Sequence, residues 1–502
     1  MKKRILAGLV TLLILMVQMP ITAQNRTDLQ TPSDVVRPQA PLEKADGHPV
    51  EETMIGYGTI DMMAGAVAQS NSKNFDKAKE LLFAGLHAQA EFIDISDLRI
   101  TPTDLSVIMQ DIRYSTPDLF YVSNYYSYSY ISDYVTECYP MYLYSGTELT
   151  KAQAFYESEI DRIVEQSGAL AVEDDLMQAL LLHDYLVSHF SYDLTYSVYD
   201  VYGMLTQGTA VCQGYTLLYA ALLTECGIES GYAVSEALNH IWNLVKIGEN
   251  YYHVDATWDD PVSDRYARVC HDSFMLSDTA IASTGHRDWV SSEDTVCSDT
   301  AYDDTIFTFS NSAFAYCNGD IYYINYSDGN LCRYIDENTV GSTVTNVGNK
   351  WYIPGQPGYY YSGYHGSLVS VDGMLYFNTS SGIGSYDPET DEMNKDIVTV
   401  DQTDGGIVGM VQTDERTLSY AIAPGLYDDL TEIRTYVIPK QELVLHPMDV
   451  NRDGVLNITD VNDLLMYLAD AHVDATYRLD VNDDGYVNID DLNTVLIALA
   501  TA

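Results

Sequence analysis

The stretch VCQGYTLLYAALLTECG, residues 211–227, decides the fold of the segment around it. Its apolar side chains recur at the spacing of one helix face: Leu217, Leu218, Ala221 and Leu222. Gly227 is suited to end such a helix, and Cys212 stands at its N-terminal end. A helix N-terminus offers unpaired N–H groups and partial positive charge, which stabilise a thiolate and can donate to an oxyanion. We therefore predict a buried helix that begins with a reactive cysteine.

Two strand-like stretches follow, NHIWNLVKIG (239–248) and YYHVDATWDDP (251–261). A turn around Gly248 would close them into a hairpin in which paired residue numbers add to roughly 497. His240 and Asp255 would then lie on neighbouring strands, within about two residues of register. A thiol, an imidazole and a carboxylate supply a nucleophile, a base and an orienting group, so we predict a catalytic triad.

Other residues of this segment admit two interpretations each. Gln207 is a candidate side-chain donor to the oxyanion, or else a solvated loop residue. Trp242 and Trp258 could line an acyl channel, but buried core aromatics are the simpler expectation.

The three motifs, in this order, resemble those of the transglutaminase-like superfamily, which has a papain-like α+β core. The resemblance covers residues 170–290 and includes LLLHDYLVSHFSYD (180–193) before the helix and FMLSDTAIASTGHRDW (274–289) after the hairpin. It implies that Cys212 forms an acyl thioester, that His240 acts as base and acid, and that no cofactor is required. The acceptor stays open, because water would make a peptidase or amidase and an amine would make a crosslinking transferase.

A second pattern lies near the end of the sequence, where DVNRDGVLNITD (449–460) recurs as DVNDDGYVNIDD (480–491), 31 positions later. Each copy places oxygen donors at loop positions one, three, five, seven, nine and twelve, with glycine at six, as calcium loops do. The predicted ligands are Asp449, Asn451, Asp453, Val455 (through its carbonyl), Asn457 and Asp460, and Asp480, Asn482, Asp484, Tyr486 (through its carbonyl), Asn488 and Asp491. Two calcium ions are expected, against the alternative of metal-free turns rich in Asx residues.

Each loop precedes an apolar helix and has no helix leading into it, so residues 446–502 resemble a type I dockerin rather than an EF-hand pair. The resemblance implies calcium-dependent binding to the cohesin module of a cellulosomal scaffold. Its partner-selecting positions ten and eleven would be Ile458, Thr459, Ile489 and Asp490. The serine–threonine pair familiar there is absent, which leaves the choice of cohesin open.

The start of the chain has the layout of a secretory signal peptide over residues 1–23, followed by a polar linker over 24–50. A single membrane-anchoring helix is the alternative for the apolar run. The formal net charge of −48 disfavours nucleic acid and membrane surfaces as partners. We expect a secreted, extracellular protein, held at the cell surface or in a cellulosome.

The remaining segments give weaker signals. Residues 51–169 are expected to form an accessory region, and residues 300–445, rich in tyrosine and glycine, an all-β domain of open architecture. The whole is thus predicted to be multidomain: an α+β transglutaminase-like core, an all-β middle domain and a small α-helical calcium-binding dockerin.

The leading hypothesis is a secreted cysteine acyl-transfer enzyme that acts on a protein or peptide. One alternative is a docked binding or structural component whose triad is inactive. A second, weaker alternative is a polysaccharide-degrading component, but no pair of carboxylates in the sequence supports it.

Overall fold

The computed structural model describes residues 53–60, 73–260, 266–348, 350–353, 356, 358–401, 405–425, 428–440, 446–452, 455–469 and 477–501. The predicted signal peptide (1–23), the predicted linker (24–50) and Asp453 of the first predicted calcium loop lie outside these residues. The chain divides into two compact units, Met1–Met54 and Ile55–Ala502. The helices and strands described here belong to the second unit, except that the first strand begins at Met54. Within the described residues, no helix is both long and apolar enough to cross a membrane.

The N-terminal region combines two helices with a four-stranded sheet in the order β1-β3-β4-β2. Its elements are β1 (Met54–Thr59), α1 (Lys73–His87), β2 (Ile93–Asp94), α2 (Pro102–Ser115), β3 (Val122–Ile131) and β4 (Tyr134–Tyr142). Helix α2 begins with a capping box, in which Thr101 and Asp104 satisfy each other's backbone N–H groups. The helices and the sheet share one apolar core that includes Leu82, Ile108 and Val135.

The central region consists of helices packed against an antiparallel sheet in the order β10-β7-β8-β9. Its elements are α3 (Gly146–Ser167), α4 (Asp175–His189), β5 (Ser191–Tyr192), α5 (Val201–Gln207), β6 (Thr209–Ala210), α6 (Cys212–Glu225), β7 (Ser230–Ser235), β8 (His240–Ile247), β9 (Asn250–Val254), α7 (Ala256–Asp259), α8 (Asp278–Ser283) and β10 (Trp289–Ser291). Helix α6 is buried on most of its surface, and Gly227 follows it with a positive φ, as predicted.

The hairpin prediction is confirmed. Strands β8 and β9 pair from Asn243 with Val254 to Ile247 with Asn250, and the residue numbers of every pair add to 497. The short turn at Gly248 fixes this register, because side chains alternate between the two faces and a slip of one residue would reverse them. His240 therefore begins one strand, and Asp255 follows the end of its neighbour.

The third region is all-β and consists of separate antiparallel sheets. Its strands are β11 (Ala315–Cys317), β12 (Asp320–Asn325), β13 (Asn330–Arg333), β14 (Ser342–Asn346), β15 (Lys350–Tyr352), β16 (Tyr360–Ser362), β17 (Leu368–Val371), β18 (Met374–Thr379), β19 (Gly382–Asp387), β20 (Glu392–Thr399), β21 (Gly406–Asp414), β22 (Thr417–Ala423) and β23 (Glu432–Val437). Strands β11 to β14, β17 to β20 and β21 to β23 form the three larger sheets, and β15 pairs with β16 in a two-stranded sheet. The first strand of each larger sheet lies beside the first strand of the next larger one.

The all-β region is bonded to the central region at several points. The Phe314 N–H donates to Asp184 Oδ2 at 2.6 Å, and His189 Nε2 lies 2.9 Å from the Gln412 carbonyl oxygen. Tyr266 also donates its hydroxyl to Ser419 Oγ at 2.7 Å.

The last segment contains two helices, α9 (Ile458–Leu468) and α10 (Ile489–Thr501), each preceded by one of the repeated loops. Its small apolar core has equivalent residues from the two copies: Val450 and Val481, Val461 and Leu492, and Leu464 and Val495. Each pair is separated by the repeat length of 31, so the sequence repeat is also a repeat in the packing.

Candidate active site

Cys212 is the first residue of α6, and its side chain is buried. The preceding residue, Val211, is the N-cap and offers no side-chain acceptor to the first N–H groups of the helix. The Thr216 hydroxyl lies 2.9 Å from the Cys212 carbonyl oxygen and 3.1 Å from that of Ile241. This contact ties the start of α6 to strand β8, which carries His240.

His240 stands between the thiol and the carboxylate. Its Nε2 lies 2.5 Å from Asp255 Oδ2, and the Cys212 side chain hydrogen-bonds to the same imidazole. Asp255 also caps α7, because its Oδ1 accepts the N–H groups of Thr257 at 3.0 Å and Trp258 at 3.1 Å. The two carboxylate oxygens thus serve separate partners, and the cap fixes the direction in which Oδ2 points.

The electrostatics of this pair favour an ionised carboxylate and a protonated imidazole. Burial alone would lower the pKa of His240, but the charge of Asp255, the hydrogen bond to it and the contact with Cys212 outweigh burial and raise the pKa. Burial alone would raise the pKa of Asp255, and the imidazoles of His240 and His286 more than reverse this. His240 is therefore able to hold a proton taken from the thiol.

A second histidine, His286, which no sequence pattern predicted, has its Nε2 2.8 Å from the same Asp255 Oδ2. The ring of His286 is 4.0 Å from that of Trp258 and 4.7 Å from that of Trp242. Trp242 is buried as predicted, whereas the core prediction for Trp258 is wrong, since 41% of its surface is exposed. Trp258 packs on His286 at the edge of the site, where solvent reaches its outer face.

The two glutamines near Cys212 differ in their surroundings. Gln207 is exposed at the C-terminal end of α5, and its oxyanion role stays a prediction. Gln213 is fully buried beside Cys212, and within the described residues neither amide atom has a hydrogen-bond partner. A buried amide in this position can be satisfied by water or by a bound ligand.

Two further clusters in the described part of the central region bring together atoms that could ligate a metal: His183, Asp184 and His271, and His253, Asp278 and the thiol of Cys297. In the second cluster, Trp242 Nε1–H donates to His253 Nδ1 at 2.9 Å, which leaves the proton of His253 on Nε2, 2.8 Å from Asp278. A metal bound to Nε2 would force that proton onto Nδ1, where it would clash with the indole N–H of Trp242.

The first cluster is a closed hydrogen-bond network. His183 contacts Asp184 at 2.9 Å and Asp259 at 3.2 Å, and His271 contacts Asp184 at 2.9 Å and the Ser310 carbonyl at 3.2 Å. Each imidazole nitrogen thus already faces an oxygen acceptor, as expected of a structural network.

The repeated loops at the end of the chain share one hydrogen-bond pattern. The position-twelve carboxylates, Asp460 and Asp491, accept the N–H groups of loop positions two, three and nine in both copies. The described candidate ligands lie within these loops: Asp449, Asn451, Val455, Asn457, Asp460, Asp480, Asn482, Asp484, Tyr486, Asn488 and Asp491. This all-oxygen donor set is one that suits Ca²⁺. The candidate partner-binding side chains, Ile458, Thr459, Ile489 and Asp490, are exposed.

Comparison with known proteins identifies the class of the central region. Residues 165–256 match the family model of the transglutaminase-like superfamily, so the chain carries a transglutaminase-like domain. No curated protein matches the chain.

Two solved structures are similar to part of the chain. One, "Crystal structure of a TGase", is 13% identical with a TM-score of 0.20, and the match covers 27% of this chain and 45% of that one. The other, "Putative Cysteine Protease from Cytophaga hutchinsonii", is 15% identical with a TM-score of 0.19, and the match covers 27% of this chain and 58% of that one. The matched part of this chain thus spans about half the length of each.

Proposed function

We propose that this protein is a cysteine-dependent acyl-transfer enzyme that acts on a protein or peptide through a thioester on Cys212. The observation that carries the proposal is the position of His240, which contacts both the Cys212 thiol and Asp255 Oδ2. Cys212 itself begins a buried helix. The match of residues 165–256 to the transglutaminase-like superfamily supports the same chemistry.

The reaction follows from these contacts. His240 takes the thiol proton, and the thiolate attacks the carbonyl carbon of an amide or ester. The backbone N–H of Cys212, the first residue of α6, would donate to the oxyanion. His240 then gives its proton to the leaving amine, ammonia or alcohol. Water or a second amine, deprotonated by His240, attacks the thioester, and the proton returns to the thiolate.

Product masses distinguish the two acceptors. The protein is incubated with a peptide library with and without a primary amine donor, and the products are weighed. Peptide-bond cleavage adds the mass of water, whereas transfer adds the amine and removes ammonia. We expect Cys212→Ala to abolish either product and Cys226→Ala, at the other end of α6, to retain it. Product formed equally by Cys212→Ala would refute the proposal.

We also propose that residues 446–502 bind two calcium ions and dock to a cohesin-bearing scaffold. The matching N–H groups that Asp460 and Asp491 accept in the two loops support two equivalent ion sites. The exposed Ile458 and Ile489 supply an equivalent apolar contact from each copy. Binding of the full chain to a panel of cohesins is measured with calcium and with excess chelator. Binding that persists in chelator would contradict this docking mode.

Export completes the proposal: residues 1–23 are removed and the mature enzyme works outside the cell, at its surface or in a cellulosome. The apolar run after the basic N-terminus supports this. Mass spectrometry of the secreted protein should give an N-terminus near residue 24, and a chain retained with Met1 would exclude export by this route.

A further inference from the structure

His286 shares one oxygen of the catalytic carboxylate with His240. Both imidazoles direct Nε2 at Asp255 Oδ2, His240 at 2.5 Å and His286 at 2.8 Å. Because Asp255 Oδ1 is occupied by the first N–H groups of α7, Oδ2 is the oxygen available to both rings. The side chain of His286 is buried, so this contact is shielded from water.

The backbone before His286 brings the ring into the site. Helix α8 ends at Ser283, and Gly285 adopts a φ of +114°, which a side chain would strain. Gly285 also lies against Trp258, where a Cβ would be 3.6 Å from the indole ring. The turn thus presents His286 between the two tryptophans and next to Asp255.

Hydrogen-bond donors and acceptors define what His286 does there. An ionised carboxylate only accepts, so Nε2 of His286 carries a proton. Its Nδ1 lies 2.8 Å from Thr284 Oγ1, which is also 2.8 Å from the Ile281 carbonyl oxygen. The hydroxyl can donate to a bare Nδ1, or accept from a protonated Nδ1 while donating to Ile281. His286 therefore keeps its bond to Asp255 in either protonation state.

Among the described residues, the titratable groups nearest to His286 come from β8, from β9 and the residue after it, and from the start of α8. Asp255 and His240 contact or face the ring directly, and His253 with its partner Asp278 lies beyond Trp242. Among these, Asp255 is the carboxylate that both His240 and His286 bind.

We propose that His286 is a positioning residue of the catalytic site. Its hydrogen bond fixes Asp255 Oδ2 and weakens the attraction of that oxygen for the proton on His240. This rests on the acyl-transfer function proposed above. His240 must hold the thiol proton and later release it to the leaving group. A carboxylate that served His240 alone would retain that proton more firmly and slow the release.

The test measures the rate at which iodoacetamide alkylates Cys212 from about pH 5 to about pH 12, a range that extends beyond the raised pKa of His240, with labelling of each cysteine resolved by peptide mass. The upper step of this profile reports loss of the proton from His240. We expect His286→Leu to move that step up by about one pH unit, because it removes a hydrogen bond to the charged carboxylate. His286→Gln, whose amide can replace Nε2–H, should stay close to the unchanged protein.

Turnover and a matched histidine provide the controls. The Leu variant should lose about ten-fold in kcat with little change in KM, since the bond acts on proton transfer rather than on substrate binding. His189→Gln, a half-buried histidine that contacts Gln412, should leave the profile unchanged. If the Leu variant does not fold, His286→Asn replaces it: its shorter amide cannot reach Oδ2, so it should shift the step while the Gln variant does not.

The outcomes separate this proposal from the one on which it rests. Fast labelling of Cys212 with overlapping profiles for the Leu or Asn variant and the unchanged protein would overturn the role of His286 alone. Labelling of Cys212 no faster than the other cysteines would instead overturn the acyl-transfer function. An upward shift restored by glutamine supports both.

Discussion

At the scale of single residues, Asp255 has three partners that depend on its charge: the N-terminus of α7, His240 and His286. Asp255→Asn keeps the shape of the side chain and removes the charge, which weakens the proton affinity of His240. We expect kcat/KM to fall by roughly 10²- to 10⁴-fold. Peptide turnover measures this, with the exposed Asp272→Asn as control. Equal turnover by Asp255→Asn would remove Asp255 from the mechanism.

The sequence predicted the contacts of His240 because they depend on local features. The helix with an N-terminal cysteine and the hairpin with a short turn are both local features, and the register of the hairpin brings His240 close to Asp255. His286 was not predicted, because it lies on a turn after α8 with no periodic pattern around it. Its position depends on packing between Trp242 and Trp258, and one sequence does not specify such a contact.

At the scale of elements, the repeated loops predict how many calcium ions each molecule binds. Calorimetric titration of the full chain with calcium should give two ions per molecule. Asp460→Ala and Asp491→Ala should each reduce this to one, because each removes the position-twelve carboxylate of one loop. Asp490→Ala is the matched control: it is the neighbour of a predicted ligand and should retain two ions. Two ions in both position-twelve variants would contradict the assignment.

The network around His183 predicts how stability depends on pH. Burial would lower the pKa of His183, but hydrogen bonds to Asp184 and Asp259 raise it from 6.5 to about 9. Since the folded value exceeds the unfolded one, its stabilisation is complete below about pH 6.5 and is lost as pH rises through about 9.

His183→Gln should therefore cost about 3 kcal/mol of unfolding free energy near pH 6 and clearly less near pH 10. Denaturant titrations at both pH values measure the difference. His87 forms an exposed pair with Asp118, so His87→Gln is the control. A cost that is equal at both pH values would contradict the ionic role of His183.

The hairpin and the all-β region show where prediction at this scale succeeds and fails. Register follows from one short turn, so the β8–β9 pairing could be predicted. The arrangement of the three sheets could not, because it depends on contacts between strands far apart in sequence, such as β11 with β17 and β17 with β21. Alternating side chains identify a strand but not the sheet against which it packs.

At the scale of the whole molecule, the N-terminal region shares an apolar cluster with Cys212. Tyr114 of α2 packs in one apolar cluster with Cys212, Tyr232 and Ile241. The rings of Tyr114 and Tyr232 meet edge to face at 5.4 Å, and Tyr232 donates its hydroxyl to Asp111 of α2. A region outside the matched superfamily segment thus packs around Cys212, and we expect it to cover part of the access to the thiol.

Removing this cover should expose the thiol. We expect Tyr114→Ala to raise the alkylation rate of Cys212 by a bulky maleimide several-fold, and to change the rate with the smaller iodoacetamide less. Tyr125→Ala, an exposed tyrosine of the same region, is the control. An unchanged maleimide rate would show that access runs by another path.

The proposed mechanism requires Cys212 to be an activated thiol, and the other cysteines of the chain serve as controls. All seven cysteines are free, and burial raises the pKa of the other six. The most direct measurement is competitive labelling of the folded protein with limiting iodoacetamide at neutral pH, read by peptide mass. We expect Cys212 to be labelled first, and we expect His240→Ala to slow its labelling to the rate of the other cysteines. Labelling led by any other cysteine, or unaffected by His240→Ala, would contradict the proposed mechanism.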